Sequence, residues 1–551
     1  MYKTRLVLII ILLTNFNIFS QAEEQITVND TINNLSTTND VVDFFSISLS
    51  DDELNDDTSA SDNISGLLNS SMDVFYRTAA YEFSSSFFKV RGLDSDNAIV
   101  HINGIKMNKL YNGRPQWSNW GGLNDVLRNQ ELSNGSIPLK YNFGGILGSN
   151  NINIRASEYG EGGRITYSTS NRSYSNRLMA TYNSGMLEKG WAYSLSIGRR
   201  WGNEGYQDAS FYDSNSAFLS VQKIFNSKHS LNLAAIYAPN RRGKVSPNTQ
   251  EVYDLKGIKY NEYWGYQDGE KRNSRVKRVV EPIILLNHDW SIDENSSLET
   301  SIGYQFGEMG NSRLDYAGGG NPSPAYYQDL PSYFLADTNG PDYEGAYIAQ
   351  ENFVNDGQIN WNRIYDANIT NNLSNLNAAY VLYEDRVDDT QLTINSAYNR
   401  EINENIKITS TVNYRNLVSD NFAEISDMLG GYTYSNIDSF DNLDYNLLSP
   451  NSIISDGDKF KYHYKMNAEE ISLFSMINFS YNKLEFYLAG DLTNTTYQRD
   501  GIFENEANAG NSSGKGEEIK FDGYGVKAGI TYKFSGKHIL DFNSAYLQKA
   551  P

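Results

Sequence analysis

The five histidines, His101, His229, His288, His463 and His538, are scattered through 551 residues. They form no His-x-x-x-His pair and have no carboxylate at ligand spacing, which gives a zinc or iron site no support. The chain has no cysteine, so thiol nucleophiles, thiolate ligands and disulfides are excluded. It has no phosphate-binding loop. Asp94, Asp96 and the loop aspartates have oxygens suited to calcium. With 67 acidic residues against 46 basic and a net charge of −21, a solvated acidic surface is the simpler reading. The same imbalance argues against nucleic acid, whose phosphates need a basic partner. No enzyme, metal site or cofactor is expected.

The remaining chemistry depends on what the elements can position. Residues 1 to 20 carry Lys3 and Arg5, then the apolar run Leu6 to Leu13, then small or polar residues around Ser20 and Gln21, the three parts of a secretory signal. No later stretch of ~18 apolar residues follows to form a membrane-spanning helix. The mean hydropathy of −0.54 suits a soluble protein, but also a transmembrane barrel, in which only alternate residues face lipid. Residues 21 to 60 are polar and acidic, apart from Phe45-Ser46-Ile47-Ser48-Leu49, which alternates like a strand. That segment either adds to another protein's sheet edge or belongs to the next domain. Residues 61 to 158 read as a small α+β domain, and residues 159 to 551 as a barrel.

From Gly163 onward the alternation is sustained. Trp191, Tyr193, Leu195 and Ile197 oppose Ala192, Ser194, Ser196 and Gly198, and Leu298, Ile302, Tyr304 and Phe306 oppose Glu299, Ser301, Gly303 and Gln305. About thirteen such strands are expected, at 163 to 171, 177 to 185, 191 to 201, 215 to 225, 229 to 239, 276 to 290, 297 to 308, 389 to 400, 405 to 416, 470 to 482, 484 to 498, 521 to 534 and 537 to 548. Short turns alternate with long polar connections at 202 to 214, 240 to 275, 309 to 388, 417 to 469 and 499 to 520. Such alternation is expected when turns face the periplasm and loops face outside. A propeller, the soluble alternative, needs a fixed repeat that is absent here. An odd strand count and the ending Gln548-Lys549-Ala550-Pro551 lead to the expectation of further strands beyond residue 551.

Ahead of the barrel, Val90-Arg91-Gly92 precedes Ala98-Ile99-Val100-His101-Ile102 and the turn Asn103-Gly104, with Val126-Leu127-Arg128, Phe143-Gly144-Gly145 and Asn151-Ile152-Asn153-Ile154 following. In this order the motifs resemble the plug of TonB-dependent outer-membrane receptors, and the Trp117-to-Gly122 segment resembles members from the Bacteroidetes. The resemblance implies a mainly β fold, a transmembrane antiparallel β-barrel with an N-terminal α+β plug domain, and energised import of a scarce solute across the outer membrane.

On that reading Arg91, Gly92, Asn103, Gly104, Gly144 and Gly145 serve plug architecture. Phe45, Ser46, Ile47, Ser48 and Leu49 are the candidate TonB box. Tyr111, Arg114, Trp117 and Trp120 are candidate substrate contacts, aromatics to stack on sugars or chelate rings and Arg to meet a carboxylate. Both tryptophans have an alternative role in packing against the barrel wall. The implied partners are TonB, outer-membrane lipid and a small-molecule or oligomeric nutrient. A passive pore or surface adhesin is the alternative from another class, and a barrel-embedded hydrolase a third.

Overall fold

The computed structural model describes residues 46–49, 92–133, 135–169, 173–336, 340–535 and 538–550. The expected signal peptide, most of the acidic segment, Phe45 and Arg91 lie outside the described residues.

Five strands build the plug sheet: β1 (Ser46–Leu49), β2 (Ile99–Ile102), β3 (Ile105–Lys106), β4 (Gln130–Ser133) and β5 (Ser149–Ile152), in the order β1-β4-β5-β2-β3. Strands β2 and β5 run parallel and the other pairs antiparallel. Asn103 (φ 48°) and Gly104 (φ 79°) supply the two left-handed positions that a two-residue hairpin turn needs. The helical spacing of Leu123, Val126 and Leu127 yields only a 3-10 turn, Asn124–Val126, although all three side chains are buried. Gly121 and Gly122 precede it and β4 starts at Gln130, too little chain to offset helix nucleation.

The barrel opens with β6 (Gly162–Thr169), β7 (Asn176–Asn183), β8 (Trp191–Gly202), β9 (Tyr212–Ile224), β10 (His229–Tyr237) and β11 (Asn240–Gly243). A loop hairpin, β12 (Trp264–Gln267) with β13 (Glu270–Asn273), precedes β14 (Val276–Val280), β15 (Ile283–Asp293), β16 (Ser296–Tyr316), β17 (Tyr380–Asn403) and β18 (Ile406–Asp427). After the short pair β19 (Tyr434–Ser435) and β20 (Ile453–Ile454) come β21 (Lys459–Tyr481), β22 (Leu484–Gly501), the short β23 (Gly514–Lys515), β24 (Ile519–Ser535) and β25 (His538–Gln548). The long antiparallel strands pair with their sequence neighbours, and all thirteen expected crossings are present.

Two crossings are split. Pro239 separates β10 from β11 and Pro282 separates β14 from β15, because proline has no N–H for the ladder. Along β16, Ser301, Gly303 and Gln305 are buried toward the lumen while Ile302, Tyr304 and Phe306 stay exposed on the outer face. The outward row turns charged past Phe306: Glu308, Arg386, Asp388 and Asp420 lie at its continuation.

The region 309 to 388, read as loop, is largely ordered. Strands β16 and β17 extend to Tyr316 and back to Tyr380, and past the apolar row both faces carry charge, which erases the alternation that marks a strand. Between them lie α2 (Pro331–Leu335), α3 (Tyr343–Asp356) and α4 (Trp361–Leu373), while α1 (Gln250–Lys256) folds in the preceding long connection. Asp342 caps α3 by accepting from Gly345 N at 2.9 Å, and Asn360 caps α4 by accepting from Arg363 N at 2.9 Å. Phe353 packs with Val252, Tyr260 and Leu330, and Trp361 with Tyr380 and Leu429, so the long connections have small apolar cores of their own.

Candidate functional site

The plug loop is built on β2 and β3. Asn108 fixes its base: its Nδ2 donates to Ala98 O (2.8 Å) and Gly113 O (2.7 Å), and its Oδ1 accepts from Val100 N (2.9 Å). Lys109 N donates to Arg114 O at 3.0 Å and Gly113 N to Lys109 O at 2.9 Å, closing a tight tip over Tyr111. Tyr111 is 38% exposed, and Arg114 reaches Asp94 at 3.5 Å across solvent. The turn Trp117–Trp120 divides the two tryptophans. Trp120 is 4% exposed and packs with Leu123, Phe218 and Ile236, whereas Trp117 is 52% exposed and meets Trp120 edge-on at 5.7 Å. Wall packing therefore holds for Trp120 alone.

Beneath the tip, Lys109 is almost fully buried and donates to Glu281 Oε1 (2.5 Å) and Asp389 Oδ2 (2.7 Å). Asn119 Nδ2 donates to the other Glu281 oxygen at 2.8 Å, so one wall carboxylate holds both ends of the loop. The flanking carboxylates keep the Lys109 ammonium charged against the cost of its burial. Tyr111 is pushed up by burial, and keeps its proton.

The same pattern recurs around the plug. Lys140 and Tyr141 donate to Glu299 at 2.8 and 2.7 Å, Arg155 to Asp289 at 2.9 Å, and Lys106 lies 3.4 Å from Glu470. In the reverse direction, wall Lys527 donates to Phe143 O (2.5 Å) and Gly144 O (3.1 Å), and wall Arg415 to Asn108 O. Ser301 Oγ donates to Asn103 O at 2.9 Å, and Ser220 Oγ to Ile154 O at 2.9 Å. Contacts with the plug run along the wall from β9 to β24.

The glycines expected to serve the plug occupy places that need them. Gly92 and Gly144 have φ of 75° and 79°, and a Cβ on Gly145 would fall 2.0 Å from Asn97 O. Ser46 to Leu49 form β1, paired with Ser133 to Gln130 at one edge of the plug sheet. Sequence reading missed the wall partners Glu281, Asp389, Glu299, Asp289 and Glu470. Their only local signal is a carboxylate on the polar row of a strand, and in one case the break Glu281-Pro282. Among the described residues no cluster of three or more His, Cys, Asp or Glu has metal-binding geometry.

No family model matches the chain, and no curated protein does. Solved structures do resemble it. The open form of the ferric-catecholate import receptor Fiu from E. coli K12 has 12% identity and a TM-score of 0.54, covering 92% of this chain and 70% of that one. The unliganded ferric citrate transporter FecA has 10% identity and a TM-score of 0.51, covering 83% of this chain. The chain spans 55% of the length of FecA and 57% of the closed form of Fiu. With the plug bonded to the wall, this likeness gives the chain the mainly β, plug-and-barrel fold of those two proteins.

Proposed function

We propose that the chain is a TonB-dependent outer-membrane receptor for energised import of a scarce solute. The observation that carries this reading is the filled lumen: a plug bonded to the wall from β9 to β24 blocks passive flow. A blocked pore must be opened, and the outer membrane holds no ion gradient, so energy must arrive through a protein partner. The outer edge of β1 has no strand beside it among the described residues, which suits recruitment of a partner by strand addition. The apolar outward row of Ile302, Tyr304 and Phe306, with Val526 and Ile530 on β24, suits contact with lipid. Tyr111, Arg114 and Trp117 form the exposed tip on which solute would first land; Trp120 supports it from below.

Deleting residues 41 to 50 from the full-length protein tests the reading. Solute binding to cells is expected to persist while energised uptake is lost. Uptake that survives the deletion unchanged refutes the proposal. The passive-pore alternative predicts that survival, and it must also explain a plug bonded to the wall.

A further inference from the structure

Every buried cation at the plug and wall described above is matched by a carboxylate or capped by carbonyl oxygens. One lumen surface departs from this rule. Strands β11 and β14 pair with Arg242 opposite Lys277, and the same register continues to Lys244 opposite Arg275, where Lys244 N donates to Arg275 O at 2.7 Å. Residues directly opposite share a face. All four are partly exposed, and none lies within 4.0 Å of a carboxylate among the described residues. The nearby carboxylates are already engaged: Glu281 by Lys109 and Asn119, Asp385 by Arg313 (2.7 Å) and Tyr462 (2.8 Å).

The two faces of this ribbon make the contrast sharp. Arg278, one residue after Lys277 and on the opposite face, bonds Glu308 and lies 3.5 Å from Glu384. Lys277 has no such partner, yet it sits near Lys109 of the plug loop, which places its face on the lumen. The strand also lies against the Trp117–Trp120 turn. Like charges opposite one another in a sheet are destabilising. In a chain of net charge −21, four such cations in one concave place are a concentration of positive field aimed at the entry route.

Resting on the import reading, we infer that Arg242, Lys244, Arg275 and Lys277 form an anion-binding subsite beside Tyr111 and Trp117, taking a solute that carries two or more carboxylate, phosphate or sulfate groups. The guanidinium groups offer paired donors to a planar carboxylate, the ammonium groups point charges, and Trp117 an exposed ring for the solute's apolar part.

The test is equilibrium binding to the full chain in detergent micelles. Probes are citrate for carboxylate, inositol hexakisphosphate for phosphate, a sulfated hexasaccharide for sulfate, and an uncharged hexasaccharide as control. At least one anion is expected to bind, with affinity falling about tenfold between about 0.05 and 0.3 M salt. The double substitution Arg242→Gln with Lys277→Gln is expected to weaken that binding about tenfold or more. Arg241→Gln, the loss of one charge on the other face, should leave it unchanged. Retained barrel mobility on unheated gels shows that each variant folds. Which anion binds identifies the charged group. No anion binding at about millimolar concentration, equal binding of the uncharged sugar, or binding indifferent to the double substitution overturns the inference. Because the assay needs no partner, it separates the two claims. Anion binding together with uptake that survives loss of residues 41 to 50 would refute energised import and leave the subsite standing.

Discussion

Lys109 places one ammonium group between Glu281 and Asp389, so removing it leaves two carboxylates buried side by side. Breaking a buried pair from one side costs about 3–5 kcal/mol, far more than the pair contributes over a well-packed apolar substitute. Lys109→Met is therefore expected to loosen residues 107–120 and speed their amide hydrogen exchange by roughly a hundredfold or more. Lys109→Arg, which keeps the charge, should do less. Unchanged exchange in Lys109→Met would show that the pair does not hold the loop. His101 gives a different handle. Burial, with Lys106 and Arg415 nearby, pushes it down to about 3, against 6.5 in the unfolded chain. Between these values the unfolded state binds the extra proton, so stability falls as the pH drops through the window, by at most about 1.4 kcal/mol per unit. His101→Gln should flatten the acid loss of plug stability between about pH 6 and pH 4, measured by denaturant unfolding at each pH. An identical slope in the variant would rule out His101 as its source.

At the scale of elements, the strands were legible because an open outer face and a plug inside impose opposite demands on alternate residues. Ile302, Tyr304 and Phe306 against Ser301, Gly303 and Gln305 are the record of that demand. Where it ends, so does the signal, which is why β16 and β17 run on unannounced and why α3 and α4 were read as loop. Their caps, Asp342 and Asn360, are residue types common in any polar loop, and their buried residues make no apolar stripe long enough to stand out. The candidate site was half legible. Tyr111, Arg114 and Trp117 sit on one local loop, whereas Glu281, Asp389 and the cations of β11 and β14 reach it from strands distant in sequence. The split at Pro282 brings a further prediction. Gly307 on β16 has φ 138°, and a Cβ there would lie 2.0 Å from Val280 O, so the break and the glycine fit one another. Gly307→Ala should cost about 2 kcal/mol or more and reduce the folded fraction, seen as loss of heat-modifiable gel mobility. Gly490→Ala, whose Cβ would meet nothing nearer than 4.0 Å, should not. Equal behaviour of the two variants would remove the argument for a fitted break.

For the whole molecule, the plug's bonds pose a mechanical question: whether opening a path requires the plug sheet to leave the wall. The interface joins buried ion pairs to apolar contacts such as Trp120 with Phe218 and Ile236, and the barrier lies in breaking several of them together. A covalent tie isolates this step. Gly303 on β16 leaves room for Ile105 on β3: a Cβ at 303 would stand 2.7 Å from Ile105 Cγ2. The two Cβ positions are thus within about 4 Å of each other, the separation a disulfide spans. The native chain has no cysteine to compete, so Ile105→Cys with Gly303→Cys gives a single reducible bond. If transport requires β3 to part from β16, the oxidised double variant should bind solute at the surface with unchanged affinity and fail to import it. Reduction should restore import. Each single variant should import under both conditions, which controls for the lost Ile105 packing. Import by the oxidised double variant at the native rate would mean that solute passes with β3 still fixed to the wall, and the path would then have to open between the loop carrying Tyr111 and the strands opposite.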